Sequence, residues 1–167
     1  MNKILVAGND KVGRHLLYEL RETKDISILI DASMRPLTTT NFKRWLKLTR
    51  VSPVSLYLLL KMALAELFRK DYKIKSQKKI FNNAELFKII KESHARKVYL
   101  FRAGLIINRK VIDSGAEILN VHCATLPEYG GLWAIMKALN DKAYRQNATL
   151  HTVIEKIDSG RIVAEMP

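Results

Sequence analysis

The chain has 167 residues, 48% of them hydrophobic and 27% charged, with a formal net charge of +13. These proportions fit one folded domain, two at most, and exclude a disordered, collagenous or low-complexity chain. The single cysteine, Cys123, excludes an internal disulfide and a cysteine-based zinc site, and fits a reducing, cytoplasmic setting.

The apolar run Ile4 to Ala7 is too short for a secretory signal core and reads as a buried strand. No stretch approaches a membrane span. Gly8 to Lys11 is a turn, Val12 to Arg21 has helical spacing, and Ile26 to Ile30 is a second strand ending at Asp31. That succession opens a parallel βαβ unit, in which ligands sit at the carboxyl ends of the strands. Gly8 to Gly13 matches neither the dinucleotide fingerprint nor a phosphate-binding loop, which excludes NAD and ATP.

Residues 35–80 interrupt the pattern with twelve Lys or Arg against Glu66 and Asp71, so +10 of the +13 lies here. Such a block is either a docking surface for an anionic partner or a solvated face. Asn41 to Lys47 is expected as a short basic helix. Ser52-Pro53 starts a strongly apolar helix running to Arg69. Burial in the core or in a homodimer is expected for that helix, and an anionic membrane surface contacting residues 41–70 is the alternative.

The alternation then resumes: strand Gln77 to Phe81, helix Ala84 to Glu92, strand Lys97 to Phe101, strand Ile118 to Val121, helix Leu132 to Asn140, and strands Ala148 to Glu155 and Ile162 to Ala164. The fold class is therefore α/β, a Rossmann-like, mostly parallel sheet with helices on both faces and a basic helical insertion. Asn120 and His122, two apart on a strand, share a face. Asp158-Ser159-Gly160 places a carboxylate in a later loop, where it can fix an imidazole's tautomer. An uncharged donor, an acid/base and an orienting carboxylate make an acyl-transfer site. Taken singly, the first pair also reads as a strand end and the tripeptide as a hairpin turn.

The segment Asn120-Val121-His122-Cys123-Ala124-Thr125-Leu126-Pro127-Glu128-Tyr129-Gly130-Gly131 resembles the Asn-x-His-Pro-Ser-Leu-Leu-Pro-x-Tyr-Arg-Gly signature of folate-dependent formyltransferases. Ile157-Asp158-Ser159-Gly160 resembles the family's Asp-x-Gly loop, Thr149-Leu150-His151 the strand before it, and Ala103 to Ile107 the pterin-pocket segment. The resemblance runs from about Lys97 to the C-terminus. It implies 10-formyltetrahydrofolate as donor and a primary amine as acceptor. In that reading Asn120 and protonated His122 stabilise an oxyanion, Asp158 keeps His122 charged, and Ala103, Gly104, Leu105, Ile106, Val111 and Ile157 line the pterin pocket. No metal is implied. A phosphate-bearing acceptor is expected, an amino sugar carried on a nucleotide. Aminoacyl-tRNA is the enzymatic alternative, and a catalytically silent member binding an anionic partner or membrane is the other. Cys123-Ala124-Thr125 replaces Pro-Ser-Leu, and Gly130 stands where Arg is common. The turn after Gly8-Asn9 departs from the glycinamide ribonucleotide enzymes, which counts against that substrate. The domain is expected to span residues 1–167 with its C-terminal end truncated.

Overall fold

A computed structural model describes residues 3–33, 53–74, 77–131 and 134–167. Seven strands form one sheet: β1 (Lys3–Gly8), β2 (Ile26–Asp31), β3 (Lys78–Ile80), β4 (Lys97–Phe101), β5 (Glu117–His122), β6 (Ala148–Thr152) and β7 (Ile162–Met166). Their order is β3-β2-β1-β4-β5-β6-β7. The pairings from β3 to β5 are parallel, while β6 and β7 are antiparallel. The helices are α1 (Lys11–Glu19), α2 (Pro53–Phe68), α3 (Asn83–Ser93), α4 (Arg109–Ile112) and α5 (Ala134–Asn140). A 3-10 turn over Leu20–Glu22 extends α1.

The central strands read as continuous apolar runs because both faces of the sheet are covered. Ile4 and Val6 of β1 join Val98, Leu100, Leu86, Ile90 and Val111 on one face. Leu5 and Ala7 join Leu17 and Ile30 on the other, under α1. Gly13 lets α1 close onto β1, since a Cβ there would stand 2.0 Å from the Gly8 carbonyl oxygen. Asp10 caps α1 by accepting the Gly13 N–H, and Asn82 caps α3 by accepting that of Glu85.

Most expected elements lie within a residue or two of their place. The strand expected over Ala148 to Glu155 ends at Thr152, because the chain turns there toward Asp158. The expected helix over 41–47 lies outside the described residues, as do Leu132 and Trp133 of the helix expected over 132–140. Of the two expectations for the apolar helix, burial in the core of this chain is corrected. Within this chain α2 is bare over much of its length, with Tyr57, Leu60, Leu64, Leu67 and Phe68 all exposed. Lys11 tethers its end by donating to the Glu66 and Leu67 carbonyls, and Arg14 holds Asp71 just beyond it.

Candidate active site

β5 carries Asn120 and His122 on one face at its carboxyl end, as their two-residue spacing requires. β6 lies antiparallel beside it, with His151 directly opposite Asn120. Cross-strand neighbours share a face, so this register brings His151 to the pair. The loop after β6 delivers Asp158 from the far side. Its backbone is left-handed (φ 49°), a conformation an aspartate holds only when its surroundings fix it. Gly160 is what lets that loop fold back, because a Cβ there would meet the Thr152 carbonyl oxygen at 1.7 Å.

Both imidazoles meet the Asp158 carboxylate, and Asn120 joins them through His151. Oδ2 accepts the Gly131 N–H at 2.8 Å and stands 3.3 Å from His122 Nδ1. Oδ1 stands 3.4 Å from His151 Nε2. His151 is 1% exposed and His122 8%, so this carboxylate and the imidazoles meet largely out of water. Hydrogen bonding from His151 is the largest influence on Asp158. Together with the Gly131 N–H and the imidazole charges, it outweighs desolvation and holds the carboxyl below its ordinary 3.8.

The remaining ring nitrogens fix the tautomers. His122 Nε2 donates to the Tyr129 carbonyl at 2.8 Å. Its Nδ1 therefore faces Asp158 favourably only when it also carries a proton. His151 Nδ1 donates to the Thr152 carbonyl at 2.9 Å. Its Nε2, 3.1 Å from Asn120 Nδ2, accepts from that amide when neutral and turns donor to Asp158 when protonated. Proton position on His151 thus decides whether the Asn120 amide is engaged or released. Cys123 follows His122 directly, but desolvation pushes its thiol up despite the charge of Arg102, so it is no activated nucleophile.

The expected pocket residues divide. Ala103, Leu105 and Ile107 pack partly against the main core, leaving Ile106 71% exposed between them. Ile157 is 55% exposed beside Asp158. Val111 is corrected: it is fully buried in the core cluster and forms no exposed wall. The backbone N–H groups of Gly104 and Leu105 are also taken, at 2.6 and 2.9 Å, by Asp31 Oδ2. Asp31 is a buried carboxylate that accepts Ser33 N–H as well, and so clamps this loop to the end of β2.

Nearby, a recess of about 180 Å³ is lined by Gly8, Asn9, Asp10, Asp31, Ala32 and Arg102. It lies between β1 and β4, where the strand order reverses. The amino end of α1 opens there, but the Asp10 carboxylate occupies it and Arg102 pairs with Asp10 at 2.6 Å. Desolvation pushes the Asp10 carboxyl up, while Arg102, the Gly13 N–H and Arg14 outweigh it and hold the group ionised. A larger recess of about 580 Å³ runs along β2 from its amino end and is remote in the fold from Asp158.

Asp31 and His151 are the two residues that sequence reasoning left without a role. Asp31 was visible as the polar end of an apolar strand. His151 was visible by alternation in Thr149-Leu150-His151, once that strand is set antiparallel to β5.

A family model described as Formyl transferase matches residues 41–166. Methionyl-tRNA formyltransferases of Neisseria meningitidis are 27% identical over 94 residues, which is 56% of this chain and 30% of theirs. That of Natranaerobius thermophilus is 27% identical over 88 residues, 52% of this chain and 28% of its own. The match thus spans less than a third of the length of these curated relatives. Among solved structures, the phosphoribosylglycinamide formyltransferase of Streptococcus pneumoniae TIGR4 superposes with a TM-score of 0.58 at 18% identity. That superposition covers 99% of this chain and 81% of the other. A formyltetrahydrofolate deformylase of Pseudomonas syringae pv. tomato gives 0.60 at 16% identity, over 98% of this chain and 49% of its own. These structural likenesses establish the fold.

Proposed function

The chain belongs to the formyl transferase family, and on that premise we propose that it transfers a formyl group from 10-formyltetrahydrofolate to a primary amine. The observation that carries the reading is the meeting of His122 and His151 at one ionised, half-buried carboxylate, Asp158, with Asn120 held against His151. A strained aspartate held between two imidazoles serves no packing purpose that an apolar residue would not serve better.

The donor, when bound, offers an activated formyl carbon to the amine. Around it, the chain's own groups have distinct tasks. Exposed Ile106 and Ile157 provide apolar surface for a flat ring, and the Asp31 clamp keeps the 103–105 loop in place. The loop's carbonyls, not the N–H groups of Gly104 and Leu105, are left to recognise ring donors. Asn120 and doubly protonated His122 stabilise the oxygen that gains negative charge, His122 giving up the longer of its two contacts to do so. Asp158 takes the proton the amine loses, directly or across a water, and that proton goes on to the donor's nitrogen as its bond to the formyl carbon breaks, releasing tetrahydrofolate and the N-formyl product. Protonated His151 turns to Asp158 and frees the Asn120 amide for that same oxygen.

For the acceptor we favour a nucleotide-linked amino sugar. A carboxylate at the amino end of α1 repels a phosphate docked there, which argues against a glycinamide ribonucleotide. The second reading is an aminoacyl-tRNA, favoured by the curated relatives, which are methionyl-tRNA formyltransferases. The test is release of tetrahydrofolate from 10-formyltetrahydrofolate with each acceptor in turn. Turnover with the sugar nucleotide supports the first reading, and turnover with methionyl-tRNA alone supports the second. Failure of a non-hydrolysable donor analogue to bind overturns both and leaves a silent family member.

A further inference from the structure

We propose that α2 is a membrane-surface helix that lays one apolar face on an anionic lipid bilayer. Tyr57, Leu60, Leu64, Leu67 and Phe68 are 59, 57, 53, 72 and 87% exposed. At 3.6 residues per turn these five fall within an arc of about 100°, while Met62, 45% exposed, stands outside it. The helix is secured from elsewhere: Lys11 binds its last carbonyls, Glu66 is half-buried, and α5 touches it. These contacts hold the end of the helix and leave the five side chains exposed. So contiguous an apolar patch on a folded domain marks an interaction surface.

Charge selects the occupant. Lys61 borders the stripe with its ammonium 5.6 Å from the Tyr57 ring, and Lys70 lies over Tyr72 at 4.9 Å. Both have the long stems that reach from an apolar contact to lipid headgroups. Between residues 53 and 74 the only acids are Glu66 and Asp71. Arg69 pairs with the first and Arg14 with the second. A second copy of this chain would bring +13 against +13, whereas an anionic bilayer attracts the same field. Sixteen residues make a helix of about 24 Å, shorter than the roughly 30 Å hydrocarbon core, so it lies in the interface and does not cross it. The Lys11 tether places its end beside the carboxyl end of β1, on the sheet edge that carries His122. A bilayer-bound enzyme would thus work close to the lipid surface.

The test uses the full chain with phosphatidylcholine vesicles, with and without phosphatidylglycerol. Binding is expected on the anionic vesicles, at least about tenfold weaker on phosphatidylcholine alone, and falling as salt screens the charge. The triple variant Leu60→Ser, Leu64→Ser, Phe68→Ser should lose more than about a hundredfold in partitioning. Tyr57→Trp should show a blue-shifted emission on the anionic vesicles only, a readout that does not depend on how the triple variant folds. Absence of vesicle binding overturns the proposal, and so does equal binding by the triple variant. A lipid-free dimer that the triple variant breaks, without vesicle binding, would assign the face to a second copy instead. None of these readouts uses formyl transfer, so the proposal stands or falls apart from the proposed activity.

Discussion

The β5–β6 edge and α2 are built to opposite rules. At the edge, polar side chains are buried and each one is answered: Asp158 by two imidazoles and a backbone N–H, His122 by Asp158 and Tyr129, His151 by Asn120 and Thr152. On α2, apolar side chains stand in water, five of them along one stripe. Burying polar groups is tolerable only when they are paired, and exposing a large apolar stripe is tolerable only when something else covers it. If, as proposed, chemistry belongs to the edge and association to the helix, substitutions in the two should separate cleanly.

The largest separation is expected from His122→Ala. It removes a group placed to meet developing charge and should lower formyl transfer by about 10²–10⁴-fold. Leu64→Ser on α2 should leave transfer in free solution within about twofold. Comparable losses from both would erase the distinction.

Gly160→Ala tests the loop that presents Asp158. The new methyl would collide with the Thr152 carbonyl, and no flexible side chain is there to yield. A loss of at least about 3 kcal/mol in denaturant unfolding is expected, alongside lost transfer. Gly130→Ala, four residues before α5 begins, is the control. Its Cβ would meet Leu126 and Asp158 only at ordinary contact, 3.4–3.5 Å, so stability should hold or rise by about 0.4–1 kcal/mol.

Asp158→Asn sharpens the comparison through pH. The native carboxyl lies below 3.8, so its stabilising share is fully present above that value and lost as pH falls through the folded pKa. Wild type should melt above the variant near neutral pH, and the gap should close at acid pH below about 3.8. A gap independent of pH would remove the ionised carboxylate from the account. The smallest effect is that of Leu64→Ser on stability. The side chain is already half in water, so thermal unfolding without lipid should move by no more than about 0.5 kcal/mol.

Strands and helices were legible because each leaves a period in the chain, two or 3.6, and the order of apolar runs gives a parallel sheet. Asn120, His122 and Asp158 were legible through spacing and resemblance. His151 required the antiparallel register of β6, a non-local fact that alternation alone does not carry. Asp31 required knowing that the end of β2 lies under the 103–105 loop, some seventy residues away. The apolar composition of α2 suggested burial on several sides, but composition does not say which neighbours reach a helix. Here a lysine takes its last carbonyls while one stripe stays open.

The central claim is that His122 and Asp158 act as one unit in formyl transfer. The direct measurement is single-turnover transfer by His122→Ala, Asp158→Asn and the double variant, with a competent acceptor. A unit predicts that the double variant is about as slow as the slower single one, because the charged imidazole and the carboxylate that takes the amine's proton serve one step, and losing either leaves that step undone. Losses that multiply would contradict it and make the two residues independent contributors.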